Sequence, residues 1–198
     1  MKSSVTERFG ELFVQNNVIS LEEKELFVFG LQQGLLIILN VISSIIIGYI
    51  FGMVWQSIVF MVMYIPLRSY VGGYHARTQL RCYVFSLVLI SVVLLGVKNI
   101  TWTSSICVLV SIIIGIIIFI FAPRADENKP LDEIETIVFK KRARSIYCTQ
   151  VFILLIFLLL GWTELASCLV MTFAAMGLML ILDILKKSYL KVSNLNKR

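Results

Sequence analysis

Charge is what this sequence has least of. Of its 198 residues, 15% are charged and 59% are apolar, and the mean hydropathy is +0.90. A soluble domain carries about 25% charged and roughly 45–50% apolar residues. Uncharged runs extend from Phe27 to Leu67, Cys82 to Val97, Ile100 to Pro123, Ser145 to Thr163 and Leu165 to Leu182. Crossing the hydrocarbon core takes about 20 mostly apolar residues. The composition therefore predicts an all-α integral membrane protein and excludes a soluble enzyme built on one core. With the chain spent on spans, no separate soluble domain of the usual ~100 residues fits, so residues 1–198 read as a single membrane domain.

Other absences narrow the chemistry. Histidine occurs once, at His75, and the four cysteines (Cys82, Cys107, Cys148, Cys168) have no CxxC spacing. Neither a zinc site nor a disulfide framework is suggested, and no metal or organic cofactor is expected. The first 25 residues hold Glu7, Arg8, Glu11, Glu22, Glu23, Lys24 and Glu25 without an apolar core segment, so no cleavable signal peptide is expected. The net charge of +6 comes without a basic stripe interleaved with aromatics, so nucleic acid is not an expected partner. There is no obvious internal repeat and no low-complexity segment.

What is present reads in order along the chain. Ser4-Val5-Thr6-Glu7 is a capping-box pattern, followed by Phe9, Leu12 and Phe13 at helical spacing with Val5. Residues 1–25 thus predict an amphipathic helix region suited to the membrane interface. Asn16-Asn17 breaks it, and Ser20-Leu21-Glu22-Glu23 caps a helix that runs into the first span. Six hydrophobic segments follow, near 27–49, 54–67, 82–97, 102–122, 146–162 and 165–185, with a hairpin near 50–54. The second is short enough to be re-entrant, and Pro66 with the residues after it is expected to end it.

The loops at 68–81 and 123–145, together with both termini, hold every Lys and Arg except Lys98. An even number of spans puts them all on one side, which the positive-inside rule makes the cytoplasm. Asp132 to Arg144 predicts an amphipathic helix with Ile134, Ile137 and Val138 toward the membrane. Asp183 and Glu164 read as interface residues. Cys107 and Cys168 read as lipid- or core-facing, and Cys148 as lying near a helix start; all three read as structural.

His75 and Cys82 are a general base and a thiol nucleophile in the same loop region, which is a minimal cysteine-hydrolase pair. A loop histidine in a membrane protein is more often an interfacial filler than a catalyst, and cysteines are common in spans. Geometry adds a condition. Seven helical residues rise ~10.5 Å, too far for the roughly 3 Å contact a base needs, so the pair cannot share one straight helix. Gly72-Gly73 allow His75 to fold back while a helix starts near Thr78. Cys82 then lies near a helix N-terminus flanked by Arg77 and Arg81, an environment that favours a thiolate. Gln32 and Gln33 are amides inside an apolar span, where an unpaired amide is costly. They serve either as interhelical hydrogen bonds or, for a thiol attack on a carbonyl, as an oxyanion donor.

Arg68-(x)4-Gly73-Tyr74-His75-Ala76-(x)5-Cys82-Tyr83 resembles the signature of the accessory gene regulator protein B (AgrB) family. The resemblance extends to Gly30-Leu31-Gln32, to Phe121-Ala122-Pro123 followed by Lys129-Pro130, and to overall length and hydropathy. It implies a membrane-embedded cysteine endopeptidase of quorum sensing that removes the C-terminal tail of an AgrD-like precursor peptide and promotes its thiolactone or lactone cyclisation. Cys82 matches the family nucleophile and His75 its base, with 68–81 the catalytic cytoplasmic loop. Arg68, Gly73 and Gln32 match supporting positions. Arg77, Arg81 and Lys129 are the candidate substrate-binding cations, although Glu127-Asn128 stand where members of the family can carry further lysines. The resemblance also implies a homodimer in the bacterial cell membrane. The competing reading is a non-enzymatic small transporter or peptide-export subunit lining a path with Gln32, His75 and Arg68; scarce charge within the spans argues against it. A phosphate-directed enzyme lacks the further histidines such sites usually have.

Overall fold

The computed structural model describes residues 5–16, 18–74, 78–124 and 131–195. Among them are seven helices and no strand: α1 (Val5–Gln15), α2 (Lys24–Ile50), α3 (Val54–Val71), α4 (Gln79–Asn99), α5 (Ser104–Phe121), α6 (Glu133–Leu159) and α7 (Thr163–Leu195). Two compact units divide the chain, residues 1–43 and 44–198.

In the first unit, α1 lies against the start of α2. The rings of Phe13 and Phe27 meet at 4.9 Å, Gly10 abuts Val28, and Lys24 pairs with Glu11 at 3.4 Å. Phe9 and Leu12 stay exposed, the apolar surface expected of an interfacial helix. The second capping box forms ahead of α2. Glu23 N–H donates to Ser20 Oγ at 3.2 Å, and the Glu23 carboxylate accepts from Ser20 N–H and Oγ at 3.0 and 2.9 Å. The bond from the Ser20 backbone, then that from its hydroxyl, holds the Glu23 carboxyl below the usual glutamate range. Ser4, the cap expected for α1, lies outside the described residues.

The second unit is built around α7. Two-thirds (67%) of its most apolar window is buried, against 22% for α4, α5 and α6. Small residues on α7, among them Ala166, Ser167, Thr172, Ala175 and Gly177, let neighbouring helices approach closely. Phe173, Met176 and Leu180 pack at zero exposure in one core with Leu67 and Val71 of α3, Leu94 of α4 and Ile118 of α5. Polar links tie the helices across. Ser57 Oγ donates to the Ser44 carbonyl at 2.8 Å, Gln150 Nε2 donates to the Met63 carbonyl at 2.7 Å, and the Tyr147 hydroxyl donates to the Ser111 carbonyl. Each such bond in a membrane bundle is worth about 0.6 kcal/mol.

Helices α2 to α7 correspond one for one to the six predicted segments. Five of them are long and apolar enough to cross a membrane; α3 is not among the five. Its 18 residues make about 27 Å of helix against a ~30 Å hydrocarbon core, and it carries Gln56, Ser57, Tyr64, Arg68 and Ser69. Pro66 does not end it, contrary to expectation. The helix continues to Val71 with Pro66 inside, as span helices allow when neighbours satisfy the freed backbone.

The expected loop boundaries also shift. Residues 68–71 complete α3 and 79–81 begin α4, so the connection between those helices is 72–78, not 68–81. Residues 133–145 are helix, as expected for Asp132 to Arg144, but run without a break into the last-but-one span. Asp132 starts α6 with a full capping box, Glu135 N–H donating to its carboxylate at 2.6 Å. The fusion leaves Ile134, Ile137 and Val138 exposed and puts Cys148 in mid-helix, not near a helix start.

The two ends of this unit differ. One carries the hairpins at 51–53, 100–103 and 160–162, where Gln56 Nε2 donates to Glu164 at 3.2 Å. The other carries the 72–78 connection, the exit of α5 and the polar half of α6. Within this unit, Lys98 alone among the basic side chains described lies at the hairpin end.

Candidate active site

Gly72-Gly73-Tyr74 leaves α3 as a short extended strap. Gly72 has φ 74 and ψ −147, and Gly73 has φ 120, backbone that side-chain-bearing residues rarely adopt. There is also no space for a side chain. A Cβ on Gly72 would strike the Arg124 carbonyl oxygen, and one on Gly73 would fall 2.5 Å from an Arg68 nitrogen and 3.2 Å from the Met179 carbonyl.

Three helices hold the strap. Gly72 forms a bridge with Arg124 beyond α5, where Arg124 N–H donates to the Val71 carbonyl at 2.9 Å. Arg68, on the last turn of α3, donates to the carbonyls of Gly72 and of Tyr74, the latter at 2.5 Å. Tyr74 N–H donates to the Met179 carbonyl on α7 at 3.0 Å. The Tyr74 ring then sits 5.6 Å from Phe85 of α4 and 5.7 Å from the Lys186 ammonium of α7. Tyr74 is thereby fixed on its backbone and on its ring. The next residue in the chain is His75, which lies outside the described residues together with Arg77 and Lys129.

Helix α4 begins where the sequence reading put it. Thr78 is the N-cap, its hydroxyl accepting from Arg81 N–H at 3.4 Å, and Cys82 N–H donates to the Thr78 carbonyl at 3.1 Å. Cys82 is a free, half-buried thiol on the first turn, and Arg81 beside it is exposed. The break between α3 and α4 meets the geometric condition that residues 75 and 82 not share one straight helix. Among the other cysteines, Cys107 and Cys168 are buried, and Cys148 is exposed on α6.

Arg68, Gly73 and Cys82 thus gather at one end of the second unit. Gln32 belongs to the first unit, half-buried on α2 and engaged in a contact there. Two residues were not anticipated. Asp183, read as an interface residue, is buried at 5% exposure and pairs with Arg124 Nε at 2.8 Å and Lys187 Nζ at 3.1 Å. It braces the backbone segment against which Gly72 rests. The signal was available: an ionisable residue within a span has a functional role by default.

The second is Tyr64, one helical turn before Arg68. Its ring stacks on Phe60 with centroids 5.0 Å apart and an 18° interplanar angle. Its hydroxyl is buried without a hydrogen-bond partner among the described residues, a condition that costs about 1–3 kcal/mol. A separate apolar groove of about 440 Å³ lies between α5 and α6, where Ser111 and Tyr147 line it already bonded to each other.

Apolar helices packed on a central seventh, with a free thiol at the start of one beside a clamped glycine strap, define an all-α multi-pass membrane protein. Residues 6–183 match the Accessory gene regulator B family. The chain belongs to that family, AgrB, and so to agr quorum-sensing peptide processing, with a membrane setting and an AgrD-like precursor as partner. An AgrB-like protein of Clostridium perfringens strain SM101 is 27% identical over 158 residues, covering 74% of each chain. A second AgrB-like protein, from strain 13 of the same species, is 26% identical over 155 residues, covering 72% of each. No solved structure matches the chain.

Proposed function

We propose that the chain is a cysteine endopeptidase and cyclase acting on an AgrD-like precursor at the cytoplasmic face of the membrane. His75 takes the proton of the Cys82 thiol. The thiolate adds to the scissile carbonyl carbon, the C–N bond breaks, and the C-terminal tail leaves with that proton on its new amine. The remaining peptide stays on Cys82 as a thioester, which an internal cysteine or serine of the peptide attacks to close a thiolactone or lactone. The thioester keeps enough reactivity for ring closure without ATP.

The observation that carries this reading is the strap. Tyr74 is fixed by Arg68, Met179, Phe85 and Lys186 directly before His75, and Cys82 sits on the first turn of the next helix. Holding a base and a nucleophile in a fixed relation is what such catalysis requires. Arg77, Arg81 and Lys129 are assigned to the precursor's tail, Arg68 and Gly73 to the strap, and Gln32 to support of the site. The basic end of the helices is assigned to the cytoplasm by the positive-inside rule, and a homodimer is the assigned assembly.

Incubating the full chain in lipid with AgrD-like precursors tests the reading. The expected result is tail release with a peptide-sized mass increase on Cys82, both abolished by Cys82→Ala and His75→Ala. Tail release by Cys82→Ala would overturn it, and a transporter would tolerate that change.

A further inference from the structure

We propose that the groove between α5 and α6 holds an acyl chain of an anionic phospholipid, whose headgroup rests on Lys140 and Arg144 at the end that carries the strap. The groove, of about 440 Å³, is lined by Ile112, Ile116 and Phe119 of α5 and by Val151 and Leu155 of α6. Its polar groups are already used, since the Tyr147 hydroxyl donates to the Ser111 carbonyl. Nothing in it calls for a polar ligand. From Val108 to Ile120 the lining follows about 18 Å of α5, a length that suits a hydrocarbon chain. The site does not depend on the peptidase reading.

An apolar lining alone selects nothing in a membrane, because lipid tails are as apolar as the side chains they touch. Selection comes from the mouth. Arg144 Nη2 donates to the Phe119 carbonyl at 2.9 Å, and the guanidinium carbon lies 5.0 Å from the Phe119 ring centroid. Phe119 also lines the groove, so one residue joins cation and cavity. Arg144 is half-buried and Lys140 exposed, and no carboxylate among the described residues pairs with either. The spacing 140, 144, 147, 151 and 155 puts both cations on the face of α6 that lines the groove. One turn apart, they can share a phosphate, as basic pockets between span helices do with anionic headgroups. A second copy of this chain fits the mouth less well. Two copies in one membrane, related by a two-fold axis, would join their α5–α6 faces with like ends together. That sets Lys140 and Arg144 against their own counterparts, a repulsion that an anionic headgroup does not meet.

Native mass spectrometry of the full chain in neutral detergent tests the assignment and reads oligomeric state in the same spectra. The probes are dioleoyl phosphatidylglycerol and dioleoyl phosphatidylcholine. At about fivefold per cation, wild type is expected to bind its first phosphatidylglycerol at least about tenfold more tightly than phosphatidylcholine. Lys140→Gln, which breaks no contact among the described residues, is expected to weaken phosphatidylglycerol about fivefold. Adding Arg144→Gln should abolish the preference. Ile112→Trp, at a position 56% exposed, fills the groove and should abolish tight binding of the first lipid. Arg81→Gln removes a cation from α4, which does not line the groove, and should leave both lipids unchanged. Equal binding of the two lipids by wild type, or a preference lowered as much by Arg81→Gln as by Lys140→Gln, would overturn the site. So would lipid binding unaltered in Ile112→Trp, and a fall from dimer to monomer in that variant would then assign the groove to a second copy.

Discussion

Gly72 is the residue least able to accept a side chain. Its φ 74, ψ −147 backbone lies close to a region that is essentially glycine-only and costs about 1–3 kcal/mol for other residues. The carbonyl that blocks its Cβ belongs to Arg124, main chain that cannot rotate away. Gly72→Ala should therefore displace the strap rather than adapt to it. The expected outcome is a loss of precursor processing of about tenfold to 10²-fold, the scale of an ångström-sized misplacement. Helical content by circular dichroism should not change, and wild-type processing by this variant would show that the strap's path does not matter. The motif in the sequence pointed to Gly73 and to freedom for His75, and both glycines do carry the backbone angles this requires. That Gly72 abuts Arg124, far along the chain beyond α5, was not legible. Spacing reports what a backbone can do, not which distant carbonyl it will meet. Tyr64 was missed for a similar reason. A tyrosine in an apolar run reads as ordinary lining until its neighbours across the bundle are known.

At the scale of elements, the joints between helices matter more than the helices. Their number and order followed from uncharged runs, and α4 and α6 start near Thr78 and Asp132 as expected, the two residues proving to be N-caps. The errors lay where a polar helix continues into an apolar one. No capping signal separates residues 133–145 from the span after them, so charge suggested a separate cytoplasmic helix where one helix is continuous. The tie between α7 and the exit of α5 was also hidden, because pairing Asp183 with Arg124 takes tertiary structure. That tie is testable. Asp183→Ala leaves Arg124 and Lys187 without their shared carboxylate; both are partly exposed, at 27% and 33% of the side chain. The expected loss is about 1–3 kcal/mol, less than the ~3–5 kcal/mol of a fully buried pair, read as a lower thermal midpoint in detergent. A midpoint equal to wild type would mean the pair bears no load.

Across the whole molecule, the uneven placement of charge gives the chain a direction. In the second unit, Arg68, Arg81, Arg124, Lys140, Lys141, Arg142, Arg144, Lys186 and Lys187 lie at the strap end, and Lys98 lies at the other. With that end cytoplasmic, a membrane-impermeant maleimide applied to intact cells should label Thr101→Cys, in the 100–103 hairpin, and leave Ser188→Cys, on α7, unlabelled. The opposite pattern would reverse the topology and put the candidate site outside the cell.

The strap's attachments also carry a temporal meaning. It follows the third helix in the chain, yet it is held by residues on the seventh, Met179 and Lys186 directly and Asp183 through Arg124. A nascent chain that has inserted only its first six helices lacks the Met179 and Lys186 contacts of Tyr74 and holds it by Arg68 and Phe85 alone. If the proposed peptidase reading holds, competence at the site is deferred until synthesis is nearly complete.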